Sequence, residues 1–218
     1  MFEIGSLTHI LLLIPIPFFY YVGMRVKEKR KELFYTSLFL LCMEILKQIY
    51  YIQAQIWTIW IIPFQLCSIP LYYCFFIHSK YIDAFESFIE NYIFIAAIFA
   101  LLYPQDMIHN ELLLTVHAFL WHYLLIFMSA IAYDKKKGFL SGSLVFLICC
   151  GIATVFNILL NKYGTINLFY INPLIVTSQP IFSYIGIHFG VIVQNVIYIL
   201  SIILASYLLR YKPFHRTN

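Results

Sequence analysis

The sequence predicts an all-α membrane protein with seven transmembrane helices, its N-terminus outside the cell and its C-terminus in the cytoplasm. Hydrophobic residues make up 62% of the 218 residues and charged residues only 11%, about half the charged fraction of a typical soluble domain. Repeated apolar runs of about 20 residues are each long enough to cross a hydrocarbon layer of roughly 30 Å as a helix. The runs are continuous rather than alternating, which argues against a transmembrane β-barrel.

Seven apolar segments follow one another along the chain. Successive segments cross in opposite directions, so that the first, third, fifth and seventh run inward and the other three run outward. Together they form one domain that spans residues 1–218. Their approximate limits are residues 6–24, 33–53, 59–78, 86–103, 112–133, 139–160 and 181–209.

Charged, aromatic and proline residues mark the ends of the first four segments. The first is followed by residues 25–31, which hold five positive charges in seven residues, and such a cluster stays in the cytoplasm. The second segment therefore leads outward, and the third begins beside Trp57 and Trp60, where an outer aromatic belt would lie. The fourth segment ends at Pro104, which cannot continue a helix without losing a hydrogen bond.

The last three segments complete the same charge pattern. The fifth stops at the charged residues 134–137, and the sixth leads to an outer loop of about 20 residues that is rich in Asn, Tyr and Thr. The seventh ends in a basic tail with Arg210, Lys212 and Arg216. In this arrangement twelve of the fourteen Lys and Arg residues lie on the cytoplasmic side, which is the bias that sets membrane orientation.

Composition also narrows the choice of partners and cofactors. The net charge of +4 comes from short loops beside apolar segments, so we expect membrane lipid and no nucleic acid as a partner. All five cysteines lie in predicted helices, which makes a disulfide framework unexpected. No HExxH or CxxC spacing is present, so we expect neither a metal nor another cofactor. The first segment lacks a basic leader and a cleavage site, and we expect it to be a retained helix.

Polar side chains inside the predicted helices gather toward the outer side. Such residues are costly in a bilayer and are functional-site candidates by default. A rise of 1.5 Å per residue brings most of them to one layer, whereas the inner halves of the helices are almost wholly apolar. We therefore predict one polar cavity that opens toward the outside or the outer leaflet. The candidates are His9, Glu44, Lys47, Gln65, Cys67, Ser68, His117, Asn157, Asn172 and His188.

Two local patterns in this layer each allow a structural and a functional interpretation. Glu44 and Lys47 are three residues apart and share a helix face, so they could form a neutralising pair or a wall of the site. Pro63 and Pro70 bracket Cys67, and prolines kink helices and free backbone carbonyls. That segment could be a kinked packing helix, or it could present Cys67 at a helix break as a nucleophile, which needs a nearby base or positive charge.

The histidines are open to similar alternatives. His117 could be a packing residue or the base for Cys67. His122 lies about 140° further round the same helix, so we do not expect both to face one site squarely, and His117 is nearer the polar layer. His9 and His188 could each be interfacial residues. The asparagines of this layer could hydrogen-bond across helices or donate to an oxyanion.

Short motifs spread over nearly the whole chain carry a family resemblance. They are residues 2–9, Glu44 with Lys47, residues 63–68 (Pro-Phe-Gln-Leu-Cys-Ser), His117, Asn157, and Asn172 with Pro173 in the outer loop. In these motifs the chain resembles the bacterial YwaF-type integral membrane proteins. That family is related to animal transmembrane protein 164, regarded as a phospholipid acyltransferase that uses a membrane cysteine and a histidine. One departure is Gln65, where the family pattern Pro-Phe-His-Leu-Cys has a histidine.

The resemblance implies an acyltransferase of the bacterial plasma membrane that acts on lipid acyl chains near the outer leaflet. In this hypothesis Cys67 takes the acyl chain as a thioester and His117 acts as general base. Asn157 or Lys47 would stabilise the oxyanion. The alternatives are a small-molecule transporter or ligand-binding protein that uses the same cavity, for which no inverted repeat is visible, and a membrane scaffold without chemistry.

Overall fold

The computed structural model describes residues 5–109, 111–134 and 138–211. Residues 2–4 of the family motif, the lysines 135–137, and Lys212 and Arg216 lie outside the described residues. Within that part all regular secondary structure is helical. The α-helices are α1 (Leu7–Leu13), α2 (Pro15–Met24), α3 (Lys29–Gln53), α4 (Tyr73–Phe76), α5 (Ile82–Phe88), α6 (Phe94–Leu102), α7 (Leu112–Ala132), α8 (Phe139–Leu160), α9 (Pro180–Phe189) and α10 (Val191–Tyr211).

Most of the predicted spans are present. Six helical stretches in the described residues are long and apolar enough to cross a membrane. They coincide with the first, second and fourth to seventh predicted segments, which confirms the all-α, multi-pass class. The π-helical segment Ile89–Ile93 joins α5 to α6 in one of them. The six stretches are Leu7–Met24, Lys29–Gln53, Ile82–Leu102, Leu112–Ala132, Phe139–Tyr163 and Val191–Arg210.

The predicted third span is not a continuous helix. Residues 59–76 form two short 3-10 segments, Ile59–Ile61 and Leu66–Tyr72, followed by the single turn of α4. Pro63 and Pro70 cannot donate backbone hydrogen bonds, so an unbroken α-helix is unfavourable here. The apolar stretch that follows Pro63 is too short to cross a bilayer alone, and seven full spans are therefore not established.

The predicted seventh helix is also divided. Gly190 adopts a left-handed conformation with φ of 92°, which an L side chain rarely tolerates, and α9 and α10 meet at this residue. The chain reverses there. Phe182 of α9 packs edge-on against Tyr198 of α10 with ring centroids 4.8 Å apart, and α9 therefore lies beside the first turns of α10.

Small residues bring the long helices into close contact. A Cβ atom on Gly23 in α2 would lie 2.7 Å from the Cβ of Ala130 in α7. A Cβ atom on Gly142 in α8 would lie equally close to the backbone of Ser87 in α5. Both distances are shorter than atoms tolerate, so only glycine permits these approaches. Close packing through small residues is a main source of helix association in membranes.

Ion pairs gather at one end of the bundle. Arg30, near the start of α3, contacts Asp83 at 2.6 Å, and Arg210, near the end of α10, contacts Glu90 at 3.1 Å. We call the end that holds Arg30 and Arg210 the basic end. The loops after α3 and α6 and before α9 lie toward the opposite end, which agrees with helices that cross in alternating directions.

Candidate functional site

A cavity of about 420 Å³ lies among α3, α6, α7, α10 and the broken segment of residues 59–70. Its volume is within the roughly 300–1,000 Å³ of typical small-molecule pockets, and most of its walls are apolar. The structure brings six of the ten predicted site residues to its walls. These are Glu44, Lys47, Gln65, Cys67, Ser68 and His117.

Cys67 is held in the cavity wall by the break in its own segment. Leu66–Tyr72 is a 3-10 helix, and the backbone carbonyl of Cys67 accepts a hydrogen bond from the Trp121 Nε1 atom of α7 at 3.0 Å. A carbonyl freed within a membrane protein needs a partner of this kind. The Cys67 thiol itself makes no hydrogen bond to any described residue, so it is available to a ligand in the cavity.

His117 is linked to Cys67 through Trp121. The two rings lie nearly parallel, 28° apart, with centroids 5.8 Å from each other. The His117 Nε2 atom lies 3.3 Å from the Met43 carbonyl oxygen of α3. Because a carbonyl can only accept, Nε2 is the donor, and in the neutral ring Nδ1 keeps a lone pair that can receive a proton.

His122 lines the same cavity as His117, one and a half turns further along α7. Its Nδ1 atom donates to the Ala118 carbonyl at 2.7 Å, which leaves Nε2 as the basic nitrogen of the neutral ring. The cavity is wide enough to contact side chains that diverge around one helix, so both His117 and His122 line it although they do not share a helix face. Trp121 and Tyr198 are further wall residues that the sequence analysis did not single out, since aromatic residues in an apolar helix carry no signal of their own.

Glu44 and Lys47 form a pair on the cavity wall. The Glu44 side chain is 4% exposed, and its carboxylate accepts from Lys47 Nζ at 2.8 Å and from Gln48 Nε2 at 2.7 Å. Gln48 also donates to the Ile61 carbonyl and accepts from the indole of Trp57, each at 2.8 Å. The pair therefore neutralises a buried charge, and Gln48, which binds the same carboxylate, ties α3 to the segment that leads to Cys67.

Gln65 fixes the loop between α8 and α9, which closes the cavity at its end away from the basic end. Its Oε1 atom accepts from the Phe169 backbone N–H at 2.9 Å. Phe169 and the next residue, Tyr170, have left-handed backbones with φ of 57° and 58°, so this hydrogen bond helps to hold an unfavourable conformation. The Gln65 Nε2 atom is buried and has no hydrogen-bond partner within the described part of the chain.

Four predicted site residues are not part of the cavity wall. His9 is buried, and its Nε2 atom lies 2.9 Å from the Leu101 carbonyl. His188 is exposed on α9, with its ring 4.2 Å from that of Tyr184. The other two are Asn157 and Asn172, which organise the loop between α8 and α9.

Both asparagines are occupied by backbone groups of that loop. The Asn157 side chain donates to the Leu168 carbonyl at 3.0 Å and accepts from the Leu168 N–H at 2.7 Å. Asn172 donates to the Ile166 carbonyl and accepts from the Leu174 N–H. The amide groups that could have stabilised an oxyanion are thus committed to loop structure.

Replacing Asn157 by alanine should lower the free energy of unfolding by about 2 kcal/mol or more. Asn157 and Leu168 are both 0% exposed, so the substitution leaves a buried N–H and a buried carbonyl without a partner, and each such group costs about 1–3 kcal/mol. Melting temperature in detergent is the measurement, with Ile158→Ala on the exposed face of the same helix as the matched control. Normal melting combined with lost activity would instead support the oxyanion role.

Fold and site together define a multi-pass α-helical membrane protein with a largely apolar cavity that presents a cysteine, two histidines and a Glu–Lys pair. The model of the TMEM164 family matches residues 3–207, so the chain belongs to the TMEM164 family. Comparisons with curated proteins and with solved structures gave no match.

Proposed function

We propose that the protein is an integral membrane acyltransferase that moves an acyl chain between lipids through a thioester on Cys67. One observation carries the proposal: Cys67, His117 and His122 line the same membrane-embedded cavity. Membership of the TMEM164 family supports it, because a relative of this family is regarded as a phospholipid acyltransferase. A nucleophile at this depth can reach an ester bond without removing the lipid from the bilayer.

The reaction divides into two steps. In the first, a histidine takes the proton of the Cys67 thiol, and the sulfur attacks the ester carbonyl of the donor lipid. The resulting oxyanion collapses, the carbon–oxygen ester bond breaks, and the histidine returns the proton to the departing hydroxyl. In the second step an acceptor hydroxyl passes its proton to the histidine and attacks the thioester, and the carbon–sulfur bond breaks. The histidine then returns the proton to the departing thiolate, which restores the thiol and leaves the acyl chain on the acceptor.

Residues around Cys67 take separate parts in this scheme. His117 is the proposed base, because its ring stacks on the same Trp121 that bonds the Cys67 carbonyl. Lys47 is the proposed stabiliser of the oxyanion, since it is a cation on the cavity wall and Glu44 holds its ammonium group in place. A fixed charge in a low-dielectric site stabilises a developing oxyanion more than it would in water.

The basic end is proposed to face the cytoplasm, in agreement with the positive-inside rule. The N-terminus would then lie outside, and the loops around the cavity would lie toward the outer leaflet. Through the motif resemblance we further propose that the chain belongs to the YwaF-type branch and resides in a bacterial plasma membrane. Cysteine accessibility labelling in intact cells measures the orientation. Labelling of a cysteine introduced at Thr165 from outside is the expected result.

The acyl-enzyme is the most direct test of the mechanism. Purified protein incubated with a synthetic phospholipid should gain the mass of one acyl chain, and hydroxylamine should remove it because it cleaves thioesters. Peptide mass spectrometry should locate the chain on Cys67. The Cys67→Ala variant should gain no mass.

The matched control for this experiment is Cys42→Ala, which removes an exposed cysteine of α3 that lies outside the cavity wall. It should acquire the acyl chain as the unchanged protein does. Lipid that is bound by the protein without any adduct, together with normal melting, would contradict the acyltransferase and favour a lipid carrier or binding protein with the same cavity.

A further inference from the structure

The cavity continues beyond Cys67 toward the basic end as a slot between α6 and α10. Cys67 and Tyr198 both line the cavity, and along α10 Ala205 is about 10 Å further toward the basic end. We call this part of the cavity the α6–α10 slot. Its walls are Ile95, Ala96, Ala100, Ser201, Ile202 and Ala205.

Small residues line this slot in an unusual way. In membrane proteins they normally bring helices into contact, as the two glycines of α2 and α8 do. Ala96 and Ala100 of α6 and Ser201 and Ala205 of α10 remain partly accessible instead, whereas Ala97, one residue from Ala96, is fully buried in the packed core. The small side chains therefore keep a channel open between the helices.

The slot opens sideways toward the surrounding bilayer. Phe99 lines the cavity and is also 62% exposed on the outer surface of the helices. A side chain can do both only where the cavity reaches the surface beside it. Phe99 lies within the membrane-spanning stretch Ile82–Leu102, about one turn from the end away from the basic end, so the medium at this opening is the bilayer.

The slot ends between Ala205 and the basic end of the bundle. Arg210, five residues further along α10 and so about 7–8 Å away, donates to Glu90 at 3.1 Å and to Asn91 at 3.0 Å. Both partners lie in the π-helical segment Ile89–Ile93. These hydrogen bonds hold α10 against the start of α6 and close the gap between the two helices.

We infer that the α6–α10 slot holds the acyl chain of the donor lipid and limits its length. An apolar void does not retain water well, and the neighbouring bilayer supplies a matching occupant. Lipid tails are as apolar as the slot walls, so the transfer of an acyl chain from the bilayer into the slot gains little free energy. Selectivity for chain length must therefore come from the position at which the slot ends. The inference rests on the proposed function for the fate of the chain, while occupancy of the slot does not require catalysis.

The test narrows the slot at two depths and measures which lipids remain bound. Ala205→Phe fills its far end, and Ser201→Phe fills it one turn closer to Cys67. The matched control is Leu204→Phe, which places the same side chain on the exposed face of α10. Each change is made in the Cys67→Ala protein, so that no turnover alters the lipids, and the probe is an equimolar series of phosphatidylglycerols that differ only in chain length.

Native mass spectrometry of the bound lipids should show a graded result. Ala205→Phe should shift the ratio of short to long chains by about tenfold, the scale at which one methylene group is discriminated by a closed pocket. Ser201→Phe should shift it further, and Leu204→Phe should leave it unchanged. If phenylalanine at position 205 prevents folding, Ala205→Leu and Ala96→Phe on the facing wall test the same depth.

The failure of this inference can be told apart from failure of the proposed function. A shift in bound chain length without any acyl adduct on the Cys67 protein would support the slot and overturn the transferase. An adduct whose chain length is the same in all slot variants would support the transferase and overturn the slot. An equal shift in Leu204→Phe would also overturn the slot, because that change does not narrow it.

Discussion

Replacement of His117 by alanine should lower the rate of acyl transfer by about 10²–10⁴-fold, the usual contribution of a general base. The reason is that the Cys67 thiol has no hydrogen bond to any described residue, so it depends on a cavity histidine to accept its proton. Lipid binding should change little, since His117 contributes one ring to a wall that is otherwise mostly apolar. Single-turnover formation of the thioester measures the step directly, and equilibrium binding of the same lipid measures affinity.

His122→Ala is the matched control, because His122 lies on the same helix and lines the same cavity. We expect it to retain most of the transfer rate, and both variants should melt at the temperature of the unchanged protein. A large loss in His122→Ala together with a small loss in His117→Ala would show that His122 is the base. Equal large losses would indicate that the two rings share the proton transfer.

The positions of six of the seven predicted spans could be predicted because they depend on local composition. Apolar runs and the charges beside them are read directly from the chain. The first, second and fourth to sixth spans begin and end within a few residues of the expected positions, whereas the long helix of the seventh begins ten residues later, after Gly190. The secondary structure of the broken segment was harder to predict, because Pro63 and Pro70 are compatible with a kinked helix as well as with a 3-10 segment. What decides between them is whether neighbouring side chains satisfy the freed carbonyls, as Trp121 does for Cys67.

Some of the cavity residues could likewise be predicted from the sequence, and others could not. Glu44, Lys47 and Cys67 could be expected to lie at one depth, because depth follows from position along a helix. Asn157 lies at a similar depth, yet its amide is taken by the Leu168 backbone. That contact depends on the path of the loop between α8 and α9, which contains residues with left-handed backbones. No pattern of residues in the sequence predicts that path. The width of the cavity cannot be predicted from the sequence either, and because the cavity is wide, His122 lines it as well as His117.

Arg210→Ala should lower the free energy of unfolding by about 3–5 kcal/mol, the cost of removing one partner from a buried ion pair. The side chains of Arg210 and Glu90 are only 11% and 5% exposed, so the carboxylate would be left in a membrane-embedded site without its arginine. Unfolding in mixed micelles with increasing denaturing detergent measures the change. The matched control is Lys31→Ala, which breaks a largely solvent-exposed pair with Glu28 and should leave the unfolding curve unchanged.

The double variant distinguishes charge from packing at this position. If the loss in Arg210→Ala comes mainly from the Glu90 carboxylate that has lost its arginine, then Glu90→Gln added to it should restore much of the stability, since the second change removes the buried charge. If the loss comes from the contacts of the long arginine stem with its neighbours, the second change should restore nothing. Partial restoration measures the share of each, because residues in direct contact are not expected to behave additively. If the double variant is more stable than Arg210→Ala, the ion pair stabilises the basic end of the bundle chiefly by neutralising the buried Glu90 charge, which is costly within a membrane.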